Sequence, residues 1–170
     1  MEEDELWQEV REAAELTGEF TLRSGLTSKT YFDKYRFESR PNLLHRVAAR
    51  MRLLIPPGTE ILGGLELGGV PLAVAIALES GHPIAFVRKE AKTYGTCRLA
   101  EGVDVEGRRV CLIEDVITTG GQVIESAKAL RDRGAIVTHV VCAIWRGKGD
   151  NPLAPHGLEM DAAFKPAIGV

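Results

Sequence analysis

Long apolar runs alternate along the chain with stripes of helical spacing. Residues 110–113 form an unbroken apolar run that suits a strand buried on both faces, and it delivers two adjacent carboxylates, Glu114 and Asp115. Val116 and Ile117 lead into Thr118, Thr119, Gly120 and Gly121. Residues 122–133 then carry apolar side chains at Val123, Ile124, Ala127 and Leu130, which predicts a helix. Upstream, residues 2–17 read as an amphipathic helix through Leu6, Val10, Ala13 and Ala14, with Gly18 as its stop. Residues 20–22 and 31–37 are predicted extended segments flanking a turn at 23–29 rich in Ser, Thr, Lys and Gly. Pro41 opens a helix through Leu43, Leu44, Val47, Ala48, Met51 and Leu54, ended by Pro56, Pro57 and Gly58.

A second strand, glycine loop and helix unit follows: a strand at 60–62, a loop at 63–69, and a helix entered at Pro71 and closed by Ser80 and Gly81. An apolar strand at 83–87 ends in Arg88 and Lys89. The stretch to residue 107 is polar and punctuated by glycine, and is predicted to be a mobile excursion. Gly134 reads as a helix C-cap, 136–144 as a long apolar strand ending at Trp145 and Arg146, and 158–164 as a short strand. Strands alternating with helices imply parallel β-α-β crossovers in a sheet covered on both faces, with ligands outside the carboxyl ends of the strands. Those ends gather residues 63–69, Arg88 with Lys89, 114–121, and Trp145 with Arg146 into one crevice.

Composition narrows the class. At 170 residues the chain makes one domain. A net charge of -3 gives no general pull toward nucleic acid or anionic membrane, and no apolar run approaches spanning length. The acidic opening MEEDELW is unlike a secretory signal, so the expected location is the cytoplasm. Cys97, Cys111 and Cys142, with the four histidines, make no metal-ligand spacing, and Cys111 and Cys142 fall within apolar strands as small core residues.

The crevice offers two glycine loops, an acidic pair and a basic stretch containing Arg88, Lys89 and Lys92. A Thr and Gly loop at a helix N-terminus presents backbone N–H groups and hydroxyls to a phosphate, carboxylates accept from sugar hydroxyls, and the basic residues neutralise further phosphate. No G-x-x-x-x-G-K-[ST] and no G-x-G-x-x-G after a strand is present, which argues against P-loop nucleotidases and dinucleotide binding. For each group there is a bland alternative: a solvated strand end for Glu114 and Asp115, a solvated turn for RKEAK, core or rim packing for Tyr31, Phe32 and Trp145.

IEDVITTGG, residues 113–121, resembles the phosphoribosyl diphosphate (PRPP) signature of type I phosphoribosyltransferases. FTLRSGLTSKTYFD at 20–33, GGLELGGVPLA at 63–73 and FVRKEAKTYGT at 86–96 resemble the orotate phosphoribosyltransferases among them. The resemblance implies a single α/β domain over 1–170 with a central, mostly parallel sheet and helices on both faces. It also implies a small hood from N-terminal and C-terminal segments, about 18–38 and 147–170, and a mobile catalytic loop at about 89–107.

The implied reaction is transfer of the 5-phosphoribosyl group from PRPP to orotate, giving orotidine 5′-monophosphate and diphosphate in pyrimidine biosynthesis. Mg²⁺ is held mainly through PRPP and water. The implied catalytic residues are Lys89, Lys92, Glu114 and Asp115. PRPP falls to these together with Arg88, Tyr94, Val116, Ile117, Thr118, Thr119, Gly120, Gly121 and Gln122, and orotate to Arg23, Ser24, Gly25, Ser28, Tyr31, Phe32, Thr118 and Arg146. A homodimer with shared sites is implied, the loop closing over the neighbouring subunit. Departures from the family pattern are Gly68 where many relatives have lysine, Trp145 for an acid, Arg23 for lysine and Tyr94 for histidine. A transferase for another base and a non-catalytic PRPP sensor are the alternatives. The 20–33 and RKEAK stretches argue against the first; the retained acids and loop lysines, without any basic helix, argue against the second.

Overall fold

The computed structural model describes residues 4–22, 25–91, 93 and 99–166. It opens with helix α1 (Glu5–Ala14), whose first N–H groups are met by the Asp4 side chain accepting from Leu6 at 3.2 Å and Trp7 at 3.4 Å. Strands β1 (Glu15–Thr21) and β2 (Thr27–Phe32) pair antiparallel as a separate two-stranded sheet. The expected helix over 2–17 therefore stops at Ala14: pairing of Glu15, Leu16 and Thr17 with Phe32, Tyr31 and Thr30 overrides the helical pattern, and Gly18 lies inside a strand. Residues 35–37 are not extended as expected; they begin the short helix α2 (Tyr35–Glu38), which buries Phe37 and Glu38.

Helix α3 (Pro41–Arg52) follows, entered at a proline as expected, then β3 (Ile61–Leu65), α4 (Gly69–Ser80) and β4 (Ile84–Val87). Gly81 closes α4 in the left-handed region at φ 76°. Gly63 and Gly64 belong to the strand rather than to the expected loop, because they are hemmed in: a Cβ on Gly63 would stand 3.0 Å from both Leu112 Cδ2 and Val110 Cγ1. After β5 (Ala100–Gly102) come β6 (Arg109–Ile117), α5 (Gly121–Arg131), β7 (Ile136–Trp145) and β8 (Glu159–Phe164). The main sheet has the order β5-β4-β3-β6-β7-β8, parallel except for the antiparallel β4–β5 pair.

The apolar run of β6 feeds two cores. Cys111 and Ile113 pack with α1, α3 and α4 on one face, while Val110 and Leu112 pack with Val123, Ala127 and Leu130 of α5 on the other. β7 does the same through Val141 and Ala143 against Val140 and Cys142, as a strand buried on both sides requires. β8 pairs with β7 in the main sheet, so residues 159–164 of the expected hood segment are sheet, while β1 and β2 form the separate two-stranded sheet. His139 bridges the β7–β8 pair, its Nε2 2.9 Å from Asp161 Oδ2. This fits a structural rather than catalytic histidine.

Candidate active site

The site is built at the carboxyl end of β6, the strand between β3 and β7. The strand runs on through both acids to Ile117, beyond the apolar run itself. Gly120 then turns the chain at φ 77°, and α5 begins at Gly121. The first four N–H groups of a helix have no intrahelical acceptor, and here they open onto a cleft of about 470 Å³. Its lining includes Glu114, Thr118, Thr119, Gly120, Gly121 and Gln122, with Val116 and Ile117 forming the floor at the strand end. A Cβ on Gly120 would stand 2.3 Å from Leu153 Cδ2, so conformation and space both select glycine. A Cβ on Gly121 would meet nothing within 4 Å, which leaves the helix start open to a ligand.

The two acids differ in environment. Glu114 borders the cleft and accepts from the Asp115 backbone N–H through Oε1 at 2.9 Å. Burial, then the neighbouring Asp115 charge, push its carboxyl well above the usual range. Asp115 has a side chain only 1% exposed; Oδ1 accepts from Val116 N at 2.5 Å, and Oδ2 lies 2.6 Å from the Lys34 ammonium. Glu38 is buried beside them, 7% exposed, and burial followed by the Asp115 charge raises its pKa to about 8. Its Oε1 has no hydrogen-bond partner among the described residues. Three carboxyl groups and one ammonium thus converge, with Glu114 at the border of the cleft.

Sequence reasoning missed Lys34 and Glu38. The available signal was their i, i+4 spacing, which only a helix brings together, and the stretch reads locally as extended.

Of the basic residues, exposed Lys89 holds its backbone N–H 2.8 Å from Glu66 Oε2, tying the end of β4 to the turn after β3. Arg88 Nε is 3.4 Å from Glu101 Oε1 on β5, and both border a separate hollow of about 150 Å³. Lys92 and Tyr94 lie outside the described residues, as do Arg23 and Ser24 and the thiol of Cys97.

On the side assigned to the base, Arg146 stands at the end of β7, its backbone N–H bonded to Ile117 O at 2.9 Å and its guanidinium 5.2 Å from the centre of the Phe32 ring. The structure thus joins Phe32 and Arg146 to the Thr118 end of β6. Tyr31 points elsewhere: it is 45% exposed and packs on Phe20, ring centres 5.5 Å apart, while Phe32 packs on Trp7. Gly25 is exposed at φ 82°, and the Ser28 hydroxyl donates to Thr30 O at 2.7 Å within its own strand. Trp145 packs against the α5-side core, and its ring fills the space a Cβ on Gly147 would need, so it is a packing aromatic. Cys111 and Cys142 are buried, and burial raises the Cys111 thiol to about 12, in keeping with inert core thiols.

A central, mostly parallel sheet whose strand β6 carries an acid pair into a Thr and Gly loop at a helix start is the framework of the site. Residues 60–159 match the family model described as the phosphoribosyl transferase domain. The chain is 61% identical over 146 residues to an orotate phosphoribosyltransferase from a Nocardioides species, covering 85% of this chain and 82% of that one. It also resembles the solved Mycobacterium tuberculosis orotate phosphoribosyltransferase in complex with Fe(III) dicitrate, at TM-score 0.84 and 32% identity over 95% of this chain and 94% of that one. The same M. tuberculosis enzyme in complex with PRPP aligns at TM-score 0.78 and 28% identity, with the same shares covered. The chain belongs to the orotate phosphoribosyltransferase family, and is with it an enzyme of the pentosyltransferase class.

Proposed function

We propose that the chain moves the 5-phosphoribosyl group of PRPP to orotate, a step in forming pyrimidine nucleotides, and that the cleft at the end of β6 holds the donor. The observation that carries this reading is the direct succession, at the end of one strand, of two buried acids, of which Glu114 lines the cleft, and an unobstructed helix N-terminus opening onto that cleft. That puts a site for sugar hydroxyls beside a site for the 5′-phosphate. Thr118, Thr119, Gly120, Gly121 and Gln122 anchor the phosphate through N–H and hydroxyl donors. Glu114 and Asp115 accept from the ribose hydroxyls, and Asp115, paired with Lys34, sets negative charge next to the positive charge that builds at the sugar as the C1–O bond breaks.

Lys89, with Lys92, Arg88 and Tyr94 by the family's pattern, takes the diphosphate. Phe32 and Arg146 bound the base, the guanidinium fork suiting the orotate carboxylate. Orotate then attacks the anchored sugar from the face opposite diphosphate, and no covalent enzyme intermediate is needed.

Among the described residues no group of three or more His, Cys, Asp or Glu is disposed to hold a metal ion. Asp115 is already paired with Lys34, which suits Mg²⁺ carried in on the diphosphate and water. When bound it supplies charge neutralisation to the leaving group. The remaining elements of the reading are a homodimer in which the 89–107 loop covers the partner's site, and a cytoplasmic setting. No helix among the described residues is long and apolar enough to cross a membrane.

The test supplies PRPP, Mg²⁺ and orotate and follows loss of orotate absorbance. Turnover on orotate and not on purines is expected. PRPP binding without turnover on any base would refute the enzyme, and turnover on a purine alone would refute the base.

A further inference from the structure

Outside the family's motifs, the most unusual chemistry is the ion pair beneath the acids. Lys34 Nζ sits 2.6 Å from Asp115 Oδ2, and the pair is joined by Glu38 on α2. The Asp115 carboxylate also occupies the space above Gly68: a Cβ there would stand 1.6 Å from Oδ2 and 2.3 Å from Cγ. Gly68 has ordinary helical dihedrals, φ -66° and ψ -27°, so its backbone does not call for glycine; the carboxylate does. Position 68 thus contributes room, and the cation beside Asp115 comes from Lys34.

We propose that Lys34 is a positioning residue which pairs with Asp115 and aims its carboxylate across Gly68, with Glu38 as the third member of the cluster. This rests on the reading of Asp115 as the acceptor for ribose hydroxyls. The groups facing the cluster are Asp33, Lys34, Tyr35 and Glu38 from α2 and the turn before it, Glu114 from β6, and Cys142 from β7. The turn before α4 meets it at Gly68. Lys165 and Asp161 also face Cys142; among the described residues, Lys34 is the cation beside the carboxyl groups of Glu38, Glu114 and Asp115. Without its charge the cluster has to take up protons to stay buried, and a protonated acid cannot offset positive charge on the ribose. The Lys34 side chain is itself 33% exposed, so it is able to yield as the sugar docks.

The experiment uses the full-length enzyme and three variants. Lys34→Met keeps the length and removes the charge; Lys34→Arg restores charge; Gly68→Ala leaves Lys34 intact but drives Asp115 out of its place. For each, kcat and KM for PRPP are measured across the pH range, and carboxyl protonation in the substrate-free protein is followed by carbon-13 NMR. Lys34→Met is expected to shift the acid limb of kcat and the carboxyl titration upward by about one pH unit or more, with kcat at neutral pH down about tenfold and KM for PRPP little changed. Lys34→Arg should return the limb toward wild type, and Gly68→Ala should reproduce the Lys34→Met shift.

A uniform fall in kcat at all pH values with the limb and the NMR titration unmoved would overturn the proposal. So would a Gly68→Ala enzyme indistinguishable from wild type. The NMR titration needs no turnover, so absence of orotate transfer by the wild-type protein would refute the functional reading while the Lys34 proposal was still decided.

Discussion

Replacing Glu38 with glutamine should make the protein more stable at high pH and change its pH dependence in one direction. Burial, then the Asp115 charge, raise the Glu38 carboxyl from 4.5 to about 8. The unfolded chain releases this proton near its ordinary value and the folded chain keeps it, so between those pH values the folded state binds more protons. Stability from this group is therefore complete below about pH 4.5 and is lost as pH rises to about 8. The interval of 8 - 4.5 = 3.5 units, at about 1.36 kcal/mol per unit, gives roughly 5 kcal/mol as an upper bound.

Glutamine is neutral throughout and offers an N–H donor where Glu38 offers a protonated oxygen. Urea unfolding of both proteins at pH 4.5 and pH 9, at one protein concentration, measures the double difference and cancels every group they share. The Glu38→Gln protein should gain roughly 2–5 kcal/mol over wild type between the two pH values. Parallel curves, with a constant offset within about 0.5 kcal/mol, would show that Glu38 ionises normally and that the buried cluster is misread.

Gly69→Ala should destabilise by about 3 kcal/mol or more, because its Cβ would stand 2.1 Å from the Ile113 carbonyl oxygen, and neither backbone can yield cheaply; thermal unfolding reads the loss. Gly120→Ala should weaken PRPP binding by calorimetry, since it strains a left-handed residue and strikes Leu153, while leaving secondary structure intact by circular dichroism. Lys92→Ala should depress turnover strongly and spare phosphate binding. Mixing that protein with inactive Asp115→Ala subunits should recover activity in verified heterodimers, and no recovery would count against shared sites.

How much was legible in the sequence depended on whether a signal was local. The strands β6 and β7 were readable because burial on both faces leaves unbroken apolar runs, and the phosphate loop because Thr118–Gly121 joins such a run to a helical stripe. The end of α1 was not, since Glu15–Thr21 becomes a strand only by pairing with β2 across a turn. β8 was readable as a strand at 158–164, but its place in the main sheet is set by pairing with β7. α2 was hidden because four residues carry too little periodicity, and with it went Lys34 and Glu38, whose partner Asp115 is remote in sequence. The division between Phe32, turned to Arg146, and Tyr31, turned to Phe20, follows strand alternation once β2 is recognised as a strand.

The central claim is that the end of β6 and the start of α5 form the PRPP site. A crystal structure of the protein with PRPP and Mg²⁺ measures this directly. The 5′-phosphate should lie within about 3 Å of N–H groups of residues 118–122, with ribose hydroxyls at hydrogen-bond distance from Glu114 and Asp115. PRPP bound with its 5′-phosphate elsewhere, or with the ribose remote from both acids, would contradict it.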